Sequence, residues 1–328
     1  LSLQDETKRI ALRINALVAE QIKGEPVALY DASLHLIRAG GKRLRPFMTL
    51  KFHSLYSDDE SAALPAAAAL ELVHNFTLIH DDIMDRDDIR HGVPTVHTRF
   101  GEPLAILAGD VLFAEAFRLV AETPALAGDY GRLDRAVKLL AESLVVLCEG
   151  QAIDVEASTG ELYTEERYYD IIRKKTAALF EAASVMGVIT GGGNEDDLHS
   201  ARMYARNVGT AFQIVDDLLG VVGDSTVTGK PVGNDLREGK KTLPIFMAVQ
   251  RSDAGDRGLL LKVWGRTDSR QEDVEAAVEV LRRLEIDKVA RDLANDHIEK
   301  ALGFLGKLPG EDKHWLTDLA HFVVERKI

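Results

Sequence analysis

Five aspartates stand within eight residues, at Asp81, Asp82, Asp85, Asp87 and Asp88. The stretch before them, Ala66 to Ile79, reads as helix, and extending its phase puts His74, Thr77, Asp81, Asp85 and Asp88 on one continuous face. Carboxylates stacked along a helix repel one another by roughly a few tenths of a kcal/mol per pair. An acidic face beside Phe76, Leu78, Ile79, Ile83 and Met84 is best explained by a cation held there. Oxygen donors without cysteine suit Mg2+, which takes one or two carboxylates and fills its shell with water or substrate phosphate. A second acidic face follows later, where Gln213, Asp216, Asp217, Gly220 and Asp224 recur at i, i+3, i+4, i+7 and i+11. It lies nearly opposite the apolar stripe of its own segment. Brought together across a cavity, the two faces could hold several ions around one polyanion.

A polyanion also needs cations. Gly40-Gly41-Lys42-Arg43-Leu44-Arg45-Pro46 joins a flexible turn to three cations, a combination that lets the backbone approach a phosphate while arginine grips its oxygens. Arg90-His91-Gly92 follows the first acidic cluster, Lys174-Lys175-Thr176 precedes an apolar run, and Lys230, Lys240 and Lys241 punctuate a glycine-rich loop. In a chain of net charge −13, basic clusters recurring beside acidic ones point to a small anionic substrate. The same net charge argues against nucleic acid or an anionic membrane as a partner. No Gly-x-Ser-x-Gly elbow, nucleotide-binding glycine loop or dinucleotide fingerprint is present. Metals, positioning and a shaped cavity must therefore carry the chemistry.

The elements that would position these residues read as helices. All nine prolines lie outside residues 125–230, which leaves room there for uninterrupted helices. Leu133, Val137, Leu140, Leu144 and Leu147 form one apolar stripe at helical spacing. Val208, Ala211, Phe212, Val215, Leu218, Leu219 and Val222 form another. Alternating strand patterns are hard to find. Ser57–Ser61, Gly191–Asp197, Gly223–Gly239 and Ser252–Gly258 read as loops. No composition shift marks a boundary, so one domain over residues 1–328 is expected. Cys148 stands alone, the longest apolar stretch (Ala62 to Leu70) is far short of the roughly 20 residues of a span, and the first residues lack a signal-peptide pattern. The expected compartment is the cytosol, without stable membrane insertion.

Taken in order, these motifs resemble the trans-isoprenyl diphosphate synthases, the polyprenyl synthetase family, with short-chain geranylgeranyl and farnesyl diphosphate synthases nearest in pattern. The residues that carry the resemblance run from Gly40 to Thr242: the Gly-Gly-Lys-Arg-Leu-Arg-Pro turn, Asp81-Asp82-Ile83-Met84-Asp85 with Arg90, Lys175-Thr176, Phe212-Gln213-Ile214-Val215-Asp216-Asp217, and the lysine-bearing loop. The resemblance implies an all-α bundle of long helices around a deep central cavity, usually a homodimer. It implies Mg2+-dependent condensation of isopentenyl diphosphate with an allylic diphosphate in trans. Asp81, Asp85 and Asp216 would hold three Mg2+ ions, with Asp82 and Asp217 as further ligands or outer-shell partners. Lys42, Arg45, His74 and His91 would bind isopentenyl diphosphate. Arg90, Lys175, Thr176, Gln213, Lys230 and Lys240 would surround the allylic diphosphate. Phe76 and Thr77, just before the first motif, would set product length, with geranylgeranyl diphosphate expected.

Two positions depart from the family's pattern. His91 stands where a second arginine is frequent, and Gly220 stands where the second motif often ends in aspartate. Other readings remain open at this level: a farnesyl or longer-chain synthase, a terpene cyclase, a helical phosphohydrolase using His80-Asp81 as its metal doublet, or a non-catalytic synthase subunit.

Overall fold

The computed structural model describes residues 2–157, 164–223, 232–310 and 313–325. The chain opens with α1 (Leu3–Gln21), whose first turn is closed by a reciprocal cap between Ser2 and Asp5. Its stripe of Ile10, Ile14 and Val18 is fully buried, as a four-residue repeat on a helix requires. Next come α2 (Val27–Ala39), α3 (Leu44–His53) and α4 (Leu64–Asp85), the helix that ends in the first acidic motif. After a short strand pair follow α5 (Val96–Phe100), α6 (Glu102–Ala121) and the long α7 (Tyr130–Ala157). α8 (Glu165–Ile172) continues through one π-helical turn, Arg173–Ala177, into α9 (Ala178–Gly191). α10 (Glu195–Val222) carries the second acidic motif, and shorter helices complete the chain.

The all-α expectation holds, with one exception among the described residues. β1 (Ile89–Arg90) and β2 (Val93–Pro94) form an antiparallel pair joined by His91-Gly92. Both joining residues have positive φ, 52° and 76°. That geometry defines the two-residue hairpin turn whose twist matches its strands. Sequence periodicity cannot reveal strands this short. All four expected loops contain helical residues: a 3-10 turn begins at Glu60, α10 begins at Glu195, a short helix spans Asn234–Arg237, and a further helix begins at Ala254.

Contacts divide the chain into two compact units interleaved in sequence. The first comprises Leu1–Ser143, Leu179–Arg202 and Lys307–Leu316, the second Leu144–Ala178, Met203–Gly306 and Thr317–Ile328. In the first, α4 packs most extensively on α6, and both present small residues to each other's neighbourhood. Ala66, Ala67, Ala68, Ala69, Ala105, Ala108 and Ala116 are all fully buried. Small side chains allow two backbones to run close, so the end of α4 has a rigid support. In the second unit the expected α10 stripe is buried at Val208, Ala211, Val215, Leu218, Leu219 and Val222. A fully buried leucine contributes about 1.5–3 kcal/mol. One segment, Glu60–Asp85, is long and apolar enough to cross a membrane, but 67% of its apolar window is buried inside the protein. It is a core helix.

Candidate active site

α4 ends at Asp85, the last residue of its acidic face. Arg86 takes the left-handed conformation at φ 58° and its N–H closes on the Asp82 carbonyl. Asp81 and Asp85 therefore share a helical face, whereas Asp88 leaves it, contrary to the extended phase expected from sequence. The Asp88 carbonyl instead accepts from Thr95 N–H at 3.0 Å, closing the base of the hairpin. The hairpin is also pinned to α2, where His35 Nε2 lies 2.7 Å from the Pro94 carbonyl.

Adjacent aspartates in this motif have opposite environments. Asp81 is half-buried and Asp85 exposed, whereas Asp82 is completely buried. Arg90 Nε donates to Asp82 Oδ1 at 2.5 Å, so the hairpin's arginine is aimed by the second aspartate. Burial pushes the Asp82 carboxyl up, with Arg90 opposing. Asp82 Oδ2 is buried with no hydrogen-bond partner among the described residues.

Cations gather around His74, midway along α4. His74 is held well below the usual histidine range by burial, then by the nearby cations Arg45, Arg43 and Arg90. It is a neutral ring in a cationic setting. Arg45 lies over the Phe180 ring at 4.8 Å, and burial lowers its pKa to about 10, which still leaves it charged at neutral pH. Lys42 is exposed on the turn. His91 occupies the hairpin tip, its pKa lowered by partial desolvation and by Arg90 and Arg43. His74 thus lies within electrostatic reach of both Arg45 and His91, two of the other residues assigned to isopentenyl diphosphate.

His80 points elsewhere. Its ring stacks edge-on against Phe76, centroids 4.7 Å apart, and its Nε2 lies 3.2 Å from the Ile106 carbonyl of α6. A Cβ at Gly109 would meet that ring at 2.4 Å, so Gly109 is the space in which His80 sits. This packing removes the His80-Asp81 metal doublet of a phosphohydrolase. Phe76 also meets Phe113 of α6 edge-to-face at 5.5 Å, and Thr77 is buried with its hydroxyl bonded to the His74 carbonyl.

In the second unit the lysine-threonine motif lies on the π turn. Such turns widen a helix locally and occur frequently at functional sites. A Cβ at Gly150 of α7 would come within 2.7 Å of both Lys174 Cβ and the Lys175 backbone nitrogen, so α7 reaches this turn only because residue 150 is glycine. Lys175 Nζ contacts Asp154 at 2.6 Å. Thr176 donates to Gln213 Oε1 at 2.8 Å, Gln213 donates to Asp217 Oδ1 at 2.8 Å, and Tyr168 donates to Asp217 Oδ2 at 2.7 Å. Asp216 is exposed, while Asp217 is buried. The sequence wheel set both opposite the apolar stripe, but Asp217 is enclosed by Tyr168 and Gln213. Burial pushes its pKa up to about 7 against those two hydrogen bonds.

Gly220 has a physical partner. A Cβ there would stand 2.0 Å from Asp235 Oδ2, so the place of the motif's last side chain is filled by Asp235. Asp235 is buried and accepts from Lys240 Nζ at 3.0 Å. Lys230 and Asp224 lie outside the described residues, as does much of the loop Gly223–Gly239.

Sequence reading missed Glu71, Asp154, Tyr168 and Asp235. Of these only Glu71 carries a local signal, a lone acid inside the apolar run from Ala66 to Val73. The others act through contacts distant in sequence.

The model of the polyprenyl synthetase family matches residues 26–281, a span that contains every motif described above. The chain belongs to the polyprenyl synthetase family. It is 46% identical over 256 residues to a short chain isoprenyl diphosphate synthase of Methanocaldococcus jannaschii, covering 77% of this chain and 76% of that one. It is 39% identical over 322 residues to a geranylgeranyl diphosphate synthase of Saccharolobus solfataricus, covering 97% and 96%. The crystal structure of geranylgeranyl pyrophosphate synthetase from Pyrococcus horikoshii superposes with a TM-score of 0.91 at 39% identity, over 98% of this chain and 99% of that one. The chain is accordingly an all-α prenyltransferase of this family, a family that uses Mg2+. Among the described residues no three His, Cys, Asp or Glu side chains converge closely enough to hold an ion unaided.

Proposed function

We propose that this chain condenses isopentenyl diphosphate with dimethylallyl, geranyl or farnesyl diphosphate in trans, and that geranylgeranyl diphosphate is its main product. The observation that carries this reading is the gathering of Arg45 and Arg90 around buried His74 on α4, the helix that ends in Asp81 and Asp85, with Arg90 held by Asp82. A second anion site next to metal carboxylates serves a reaction between two diphosphates. A cyclase or a hydrolase has no use for it. The two relatives and the crystal structure named above support the short-chain product.

On this reading Asp81, Asp85 and Asp216 would hold three Mg2+ ions, which when bound would neutralise charge on the departing diphosphate. Lys175, Thr176, Gln213, Arg90, Lys230 and Lys240 orient the allylic diphosphate, and Asp82 and Asp217 hold Arg90 and Gln213 in place. The allylic carbon–oxygen bond breaks, and its electron pair leaves with the diphosphate. The double bond of isopentenyl diphosphate, held by Lys42, Arg45, His74 and His91, forms the new carbon–carbon bond. A proton is then lost, with the departed diphosphate as acceptor. Apolar walls around the cation exclude water. The working form is a homodimer in the cytosol.

Labelled isopentenyl diphosphate, an allylic primer and Mg2+ incubated with the purified protein should give a product longer than the primer. Release of phosphate or diphosphate without chain growth would reject the reading.

A further inference from the structure

We infer that Arg43, the middle cation of the Gly-Gly-Lys-Arg turn, binds no substrate and is the positioning residue that sets Lys42 and Arg45 for isopentenyl diphosphate. The inference rests on the reading of Lys42 and Arg45 given above. A guanidinium has five N–H donors. In Arg43 all five are used within the protein. Nε and Nη2 donate to Asn15 Oδ1 at 3.1 and 2.9 Å, and Nη2 also donates to the Ile37 carbonyl at 2.6 Å. Nη1 donates to the Gly40 carbonyl at 2.8 Å and to Glu71 Oε1 at 2.9 Å. No donor is left for a phosphate oxygen.

These acceptors come from four places: α1 through Asn15, the last turn of α2 through Ile37, the loop through Gly40, and α4 through Glu71. Ile37 and Gly40 offer carbonyls of the kind a helix end leaves unpaired. One side chain therefore closes α2 and ties its exit to the helix bearing the first acidic motif. Glu71 is itself fixed, since Asn75 Nδ2 donates to the same Oε1 at 3.1 Å. The Arg43–Glu71 pair is nearly inaccessible, with side chains 2% and 3% exposed.

The backbone is built around this arrangement. Arg43 has φ 51°, and Gly41 has φ 131°. A Cβ at Gly41 would lie 2.5 Å from Arg43 Nη1, so the guanidinium folds back over the glycine. Lys42 and Arg45 flank this anchored side chain in the same turn. Lys42 is exposed, and the buried Nε of Arg45 has no hydrogen-bond partner among the described residues. Of three consecutive motif cations, the central one is consumed by the fold.

Lysine at position 43 keeps the charge but loses the planar fork. Arg43→Lys should raise the KM for isopentenyl diphosphate about tenfold, the scale expected when binding groups shift by a fraction of an ångström. The KM for the allylic diphosphate and kcat should stay within about twofold. Asn15→Ala, on a remote helix where alanine is a good residue, should move the same constant in the same direction by about threefold. It decides the matter if Arg43→Lys fails to fold. Lys42→Ala serves as the control on the site itself. If Lys42→Ala leaves the KM for isopentenyl diphosphate unchanged, the site reading fails. If Lys42→Ala raises it but Arg43→Lys and Asn15→Ala do not, or if these two raise both KM values equally, the positioning role is overturned.

Discussion

At the scale of single residues, the two aspartate pairs divide their work in the same way. Asp81 and Asp216 are accessible, while Asp82 and Asp217 are buried and committed to Arg90 and to Tyr168 with Gln213. Removing an accessible carboxylate deletes a proposed metal ligand without opening a cavity in the core. Asp81→Ala and Asp216→Ala should each lower kcat by about 100–1000-fold while thermal unfolding stays near wild type. Near-normal condensation by either variant at saturating Mg2+ would dismiss the metal assignment. His91 offers a pH-dependent test. Its pKa is depressed, so it carries charge only at acidic pH and is neutral at pH 7 and above. His91→Arg supplies a permanent charge and a donor fork at a position whose positive φ already hosts a non-glycine residue. The KM for isopentenyl diphosphate should fall by about threefold to tenfold at pH 7–8, as a charge-assisted hydrogen bond would give. The gain should shrink as pH falls and the wild-type histidine becomes charged. Steady-state kinetics across pH would show it, and equal shifts for both substrates would assign His91 to neither site.

At the scale of elements, what was legible in the sequence was whatever repeats at helical spacing. The α10 stripe and the α4 face through Asp85 were readable because apolar and acidic positions recur on one side. The end of α4 was not, because it is set by a single left-handed residue, Arg86, with no glycine to announce it. The hairpin at Ile89–Pro94 is too short to alternate, and the π turn at Arg173–Ala177 depends on Gly150 from a helix far upstream. Likewise, Gly220 looked like a lost carboxylate until Asp235 was found against it. α4 and α6 together also carry the product-length test. Thr77 lies one helical turn before Asp81, about 6 Å along the axis at the usual rise. Phe76 is braced by Phe113, and Phe113 by Phe117 at 5.4 Å. On the proposed reading, a chain growing from the acidic end of α4 would pass Thr77, with the braced Phe76 beside it as the stop. Thr77→Phe should shift the main product from twenty carbons to fifteen, with overpacking costing about 1–3 kcal/mol in stability. Chromatography of dephosphorylated products decides it: an unchanged twenty-carbon profile would remove Thr77 as a gate.

At the scale of the whole molecule, the proposed homodimer would have to form between two acidic chains, and charge and apolar burial pull in opposite directions. Net charge is −13, so two associated chains would carry −13 − 13 = −26. Against that repulsion, α6 presents Ile106, Leu107, Phe113 and Ala114 as an exposed stripe at i, i+1, i+7 and i+8, interrupted by Asp110. Leu107 is 52% exposed and Phe113 38%. Scattered apolar residues are normal on a surface, but a stripe along one helix marks a contact face. Each such side chain brought to full burial adds up to about 1.5–3 kcal/mol, enough for a few to outweigh screened repulsion. Repulsion between two acidic bodies fades beyond a Debye length of about 10 Å at 0.1 M salt, whereas apolar burial does not. Association should therefore tighten as salt rises from about 10 mM to about 100 mM. Sedimentation should find a species of twice 36.0 kDa. Leu107→Glu places a charge in the stripe and should return the protein to 36.0 kDa with its helical circular dichroism intact. A wild-type chain that sediments at 36.0 kDa at micromolar concentration and 100 mM salt would reject the homodimer, and a Leu107→Glu protein still at twice that mass would place the interface elsewhere.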